Sequence, residues 1–236
     1  MQRVIQKIDS LLIDYFGVPK SNRKKPDSVD MLVGTILSQN TNDKNSYRAY
    51  QNLKEKFKTW EDVAEQTQSK IERIIKVAGL AKQKSKAIKF VFKELKKRNK
   101  KISLNYLNKL GDEEVIAELT KFVGVGVKTA SCVLLFSMNR NICPVDTHVH
   151  RTLNRIGLVN TVSPEKTFYK INGNIPRGAA HSFHTNLIRL GREICKPSNP
   201  KCSICPLVKN CNYDFKNFEL HAAHKKNDFM LLDNIS

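Results

Sequence analysis

No segment of this 236-residue chain alternates polar and apolar residues with a period of two between turn residues, so strands have almost no support. No apolar run approaches the roughly 18 residues that a membrane span requires. The opening residues, Met1-Gln-Arg-Val-Ile-Gln-Lys7, lack the apolar core and small-residue cleavage site of a secretory signal. A soluble protein is expected, cytoplasmic and nucleoid-associated in a prokaryote or nuclear in a eukaryote. Internal repeats and low-complexity segments are missing too. Acidic residues are scarce: 22 Asp and Glu face 41 Lys and Arg, which leaves +19 with His neutral. Solubility needs far less, so the imbalance points to a polyanionic partner, nucleic acid above all. An anionic membrane surface is the competitor, and no basic amphipathic segment stands apart from the folded pattern to support it.

What is present is helical periodicity. Val4, Ile5, Ile8, Leu11, Leu12 and Tyr15 recur at helical spacing, and Gly17-Val-Pro19 closes that helix. Residues 20–26 read as a basic linker. Asp27 or Ser28 can then cap a helix whose Met31, Leu32, Val33, Ile36 and Leu37 are too continuously apolar for anything but burial. A third helix runs through Tyr47, Tyr50 and Leu53, and Thr59-Trp-Glu-Asp62 and Ser69-Lys-Ile-Glu72 both read as capping-box starts. Gly79-Leu80 ends the helix of Ile71, Ile74 and Ile75. From residue 82 to 101, Ala87, Ile88, Val91, Phe92 and Leu95 are interspersed with ten Lys and Arg, so one face is expected to pack while the other stays charged. Segments 112–121, 129–138, 149–156, 163–171 and 180–195 complete an all-α set.

The centre of the pattern is Phe122-Val-Gly124-Val-Gly126-Val-Lys128-Thr-Ala130. Two glycines two residues apart between apolar helices describe a tight hairpin whose amides point outward at the start of the second helix. Such a corner, formed by Gly124, Gly126, Val127 and Thr129, suits phosphate of any nucleotide sequence. Lys128 sits two residues past Gly126, in the first turn of the second helix. Eighteen residues on, Asp146 appears in Cys143-Pro-Val-Asp-Thr-His148, where Pro144 stops one element and Val149, Leu153 and Ile156 begin the next.

Of six cysteines, four fall within 17 residues as Cys195-x6-Cys202-x2-Cys205-x5-Cys211. In a cytosolic protein that density favours a metal or cluster over disulfides. Four thiolates suit zinc or a 4Fe-4S cluster, and the two-pair spacing of a zinc ribbon is missing. Cys132 and Cys143 sit in apolar contexts and read as small core residues.

The hairpin with Lys128, the Pro144-Val-Asp146-Thr-His148 segment and the four-cysteine spacing together resemble the endonuclease III branch of the helix-hairpin-helix DNA glycosylases, over residues 25–211. The resemblance implies two helical domains with a DNA-binding cleft. One is a six-helix domain of residues 26–140 with the helix-hairpin-helix; the other, residues 1–25 with 141–211, carries the cluster. Residues 212–236 are an appended tail. It further implies a 4Fe-4S cluster on Cys195, Cys202, Cys205 and Cys211, and a monomeric base-excision-repair enzyme acting on duplex DNA. Such an enzyme removes a damaged or mismatched pyrimidine and nicks the strand as an AP lyase.

Base removal leaves a cationic sugar, which a nearby carboxylate stabilises. Asp146 fits, and Asp is also a good helix cap there. The resemblance makes Lys128 the amine that attacks C1′, forming a Schiff base whose β-elimination breaks the strand. Extruding a nucleotide leaves a hole to fill, and the filling residues implied are Gln39, Asn40 and Leu80. His148 corresponds to a position beside the catalytic Asp, and Lys196, Lys201 and Lys209 ring the cluster loop as DNA contacts. The chain departs from the family pattern in Asn40 where glutamine is usual, in Phe122-Val-Gly124 for Leu-Pro-Gly, and in Thr120 where an acidic residue is frequent. Two alternatives are a monofunctional mismatch or alkylated-base glycosylase that uses Asp-activated water, and a non-enzymatic helix-hairpin-helix module.

Overall fold

The computed structural model describes residues 1–20, 25–220 and 230–235; residues 21–24 of the expected linker, and 221–229 and 236 of the expected tail, lie outside the described residues. The described residues contain helices and turns and no strand. They divide into two compact units, one of residues 1–20 with 141–220, the other of residues 25–140 with 230–235.

The first unit begins with α1 (Gln2–Phe16), whose Ile5, Ile8, Leu12 and Phe16 form a buried stripe at helical spacing. The second unit follows. In it α2 (Ser28–Ser38) starts at Asp27, whose carboxylate accepts the Val29 amide at 2.8 Å, and is buried almost all round. α3 (Asp43–Lys56), capped by Asn42, packs on α2, and α4 (Trp60–Ala64) follows, opened by the Thr59/Asp62 capping box. Buried Asp30 of α2 joins these three helices by accepting from Tyr50 Oη (2.8 Å), Lys54 Nζ (3.0 Å) and Trp60 Nε1 (3.1 Å). A buried carboxylate is tolerated because its lone pairs are met.

α5 (Gln68–Ile74) begins earlier than its sequence suggests. Thr67 caps it by accepting the Lys70 amide, so Ser69 lies inside the helix. A 3-10 turn (Lys76–Ala78) leads to α6 (Ala81–Asn99), a further 3-10 turn (Asn105–Lys109) to α7 (Asp112–Thr120), and then α8 (Val127–Cys132) passes directly into a π turn (Val133–Ser137). The expected continuous helix of 129–138 is therefore split, because a π turn takes an extra residue into the ring without changing the apolar pattern. The last described residues also belong here: Leu231 and Ile235 are buried, and Ile235 Cδ1 lies 2.0 Å from where a Cβ on Gly34 of α2 would stand.

The first unit resumes with α9 (Thr147–Ile156), α10 (Pro164–Asn172), capped by Ser163, and α11 (Ala180–Glu193). α11 packs on both α1 and α9. Gly191 is required at the α9 crossing, since a Cβ there would meet His148 Cβ at 2.8 Å. Cys132 and Cys143 are fully buried, as their apolar surroundings suggest.

Candidate active site

In the second unit the hairpin between α7 and α8 is closed by the Phe122 amide on Leu119 O (3.1 Å) and the Val125 amide on Phe122 O (3.0 Å). Phe122 and Val125 point into the core and Val123 stands half-exposed at the tip. Gly124 has φ +84°, and a Cβ there would also press on Ala87 Cβ at 3.0 Å, so conformation and space both demand glycine. Gly126 is the N-cap of α8 and offers no side chain, so no side chain caps the amides of the first turn. Those donors and the positive helix end form a surface suited to an anion. Lys128 lies half-buried in that turn, and Thr129 is buried.

Two further corners lie in the same unit. Gln39, the C-cap of α2, donates Nε2 to Gly124 O at 2.9 Å and to Thr129 Oγ1 at 3.4 Å, so its side chain braces the hairpin. Asn40 is exposed at φ +50°. Leu80 forms the other corner, following Gly79 at the start of α6, with φ +47° and 47% of its surface exposed. A large apolar side chain held outward on a left-handed backbone is unfavourable on both counts, a pattern concentrated where function requires it.

In the first unit Asp146 caps α9, its Oδ1 accepting the Val149 amide at 2.8 Å. The approach to it is clamped. Cys143 exchanges hydrogen bonds with the Asn172 side chain (2.6 and 3.1 Å), and the ring Nδ1 of buried His184 donates to Pro144 O at 2.8 Å. Neither Asn172 nor His184 carries a signal in the sequence; tertiary packing alone brings them to Asp146. His148 is half-buried against α11, with Nδ1 3.3 Å from an Arg151 amino group, and burial pushes its pKa down. Arg151 in turn donates to Gly191 O (2.8 Å) and Cys195 O (3.0 and 3.1 Å).

Cys195, Cys202, Cys205 and Cys211 line one small cavity with Arg155 and Tyr213. None forms a disulfide. Burial pushes the Cys205 thiol up to about 12, with the other three cysteines adding to the rise. The chemistry of this donor set favours a cationic group at its centre, which would restore the thiolates. Among the described residues no three His, Cys, Asp or Glu side chains converge as a single metal ion requires. Arg155, which the sequence did not mark, holds the loop by donating to Lys196 O (2.6 Å) and Pro197 O (2.8 Å), with its guanidinium 4.1 Å from the Tyr213 ring centre. Lys196 and Lys209 are exposed and Lys201 is half-buried on the same loop.

Comparison with known proteins agrees with this geometry. The family described as "HhH-GPD superfamily base excision DNA repair protein" matches residues 33–177. A DNA glycosylase-like protein of Arabidopsis thaliana is 38% identical over 198 residues, 79% of this chain and 68% of its own. Endonuclease III of Thermotoga maritima is 33% identical over 192 residues, covering 81% and 86%. A solved non-covalent endonuclease III–DNA complex shares the fold with a TM-score of 0.73 at 24% identity, over 89% of this chain and 95% of that one. The chain belongs to the HhH-GPD superfamily of base excision DNA repair proteins, and its relatives there include endonuclease III.

Proposed function

We propose that this chain is a bifunctional DNA glycosylase and AP lyase that excises a damaged or mismatched pyrimidine from duplex DNA and nicks the strand. The observation that carries the reading is Lys128 in the first turn after an uncapped, glycine-built hairpin, in a chain whose relatives include proteins named endonuclease III. The hairpin amides hold a backbone phosphate, Lys128 attacks C1′ of the damaged nucleotide, and Asp146 stabilises positive charge developing on that sugar. Asn40 and Leu80 enter the space left in the duplex, and Gln39, next to Asn40, braces the hairpin. Exposed lysines of the cysteine loop add phosphate contacts. A monofunctional glycosylase, which uses water, has no need of an amine at position 128. Borohydride added during turnover should trap a covalent protein–DNA adduct, because an iminium is reducible; base release without any adduct would favour the monofunctional reading.

We infer that the four cysteines hold a 4Fe-4S cluster rather than zinc: all four line one cavity and lack the two-pair spacing of a zinc ribbon. The cluster when bound would cross-link the loop, while Arg155 and Tyr213 support it from the protein side. Anaerobically purified protein should be yellow-brown and contain about four irons per chain. Stoichiometric zinc without iron would contradict the assignment.

A further inference from the structure

Lys84 lies on the packed face of α6, 2% exposed, at helical spacing from the buried Ile88, Val91 and Leu95. An ammonium in such a layer is unfavourable unless its donors are met. Its Nζ donates to Leu37 O and to Ala78 O, each at 2.8 Å. Among the described residues no carboxylate pairs with it. The two carbonyls are the point of interest. Leu37 lies in the last turn of α2, just before Gln39 and Asn40, and Ala78 ends the 3-10 turn just before Gly79 and Leu80. Carbonyls at such ends have no partner within their own helix and carry its negative pole.

We propose that Lys84 is a positioning residue for base extrusion: one buried ammonium ties together the chain ends that lead into the Gln39-Asn40 corner and the Leu80 corner, and so fixes the separation of the residues that enter the duplex. This rests on the reading of Asn40 and Leu80 given under Proposed function. Both corners need such a constraint, because Asn40 and Leu80 hold left-handed backbones that persist only where the surroundings over-determine them. Neutral donors would serve two carbonyls equally well for packing alone. A cation where two helix ends meet gives a stiffer tie than a neutral donor, and its 2% exposure shows how closely it is enclosed.

The test uses the full chain and a duplex carrying a tetrahydrofuran abasic analogue with 2-aminopurine opposite. Wild-type protein at saturation should change the 2-aminopurine fluorescence as side chains enter the stack. Lys84→Met keeps the length of the side chain without its donors, and should lose most of that change while binding undamaged duplex as before. Leu80→Ala should lose it too, and Lys84→Met in that background should add no further loss, since residues acting through one another are not additive. Should Lys84→Met fail to fold, Lys84→Gln, which retains one donor group, should show a partial loss. A full fluorescence change in the Lys84 variants, or additive losses in the double variant, overturns the proposal. No change with wild-type protein overturns instead the underlying reading of Asn40 and Leu80, and the role of Lys84 with it.

Discussion

Lys128→Gln should abolish both the borohydride-trapped adduct and strand nicking while leaving duplex binding nearly intact. Glutamine, one atom shorter, keeps a polar end, but its amide nitrogen lone pair is delocalised and not nucleophilic, so no Schiff base forms and β-elimination has no starting point. Binding survives because the hairpin offers backbone amides to phosphate and 40 other Lys and Arg remain of 41. Gel analysis with and without borohydride separates adduct, nicked strand and intact strand in one experiment. A trapped adduct from Lys128→Gln would mean that another amine is the nucleophile.

The second large effect is expected at Asp146. Asp146→Asn should lower single-turnover base release on the order of 10² or more, the loss associated with one preorganised electrostatic group. The substitution isolates charge from structure. Asn caps helices about as well as Asp, so the bond from the Val149 amide persists and α9 should retain its stability to within about 0.5 kcal/mol. The clamp on Cys143 and Pro144 from Asn172 and His184 is untouched, so the backbone of position 146 stays in place. Nicking at a preformed abasic site should fall much less than base release, because that step begins after the glycosidic bond is gone. Because Asn keeps the cap, unchanged base release in Asp146→Asn would show that Asp146 acts only as a cap.

Much of this site was legible because its chemistry is local. A cap is decided within four residues, and Asp27, Thr59, Asp146 and Ser163 all cap the helices that their positions suggest. The exception is instructive: the sequence offers Ser69 as the start of α5, and the chain instead caps that helix two residues earlier with Thr67, leaving Ser69 inside it. The hairpin was equally plain, since Gly124 answers a steric demand that no other residue meets as well. Gln39 was not legible in the same way. Sequence placed it at a corner among residues entering DNA, and the folded chain turns its amide onto Gly124 and Thr129, a bond spanning 85 residues.

Lys84 shows the limit most clearly. Among ten basic residues of the 82–101 segment it looks like one more solvated charge, yet its register matches Ile88, Val91 and Leu95. Periodicity could have placed it on the buried face; nothing short of the tertiary structure supplies the two carbonyls that make burial tolerable. By itself the sequence determined the all-helical composition, most of the helix starts, the glycine corner, and the candidate lysine, aspartate and four cysteines, because caps, turns and ligand spacings are short-range. Only the tertiary structure decided which polar groups brace them, Asn172 and His184 at Asp146, Arg155 at the cysteine loop and Lys84 between two corners. Most of those bonds join residues far apart in the chain, the Lys84 bond to Ala78 being the short one, and no local pattern encodes their partners.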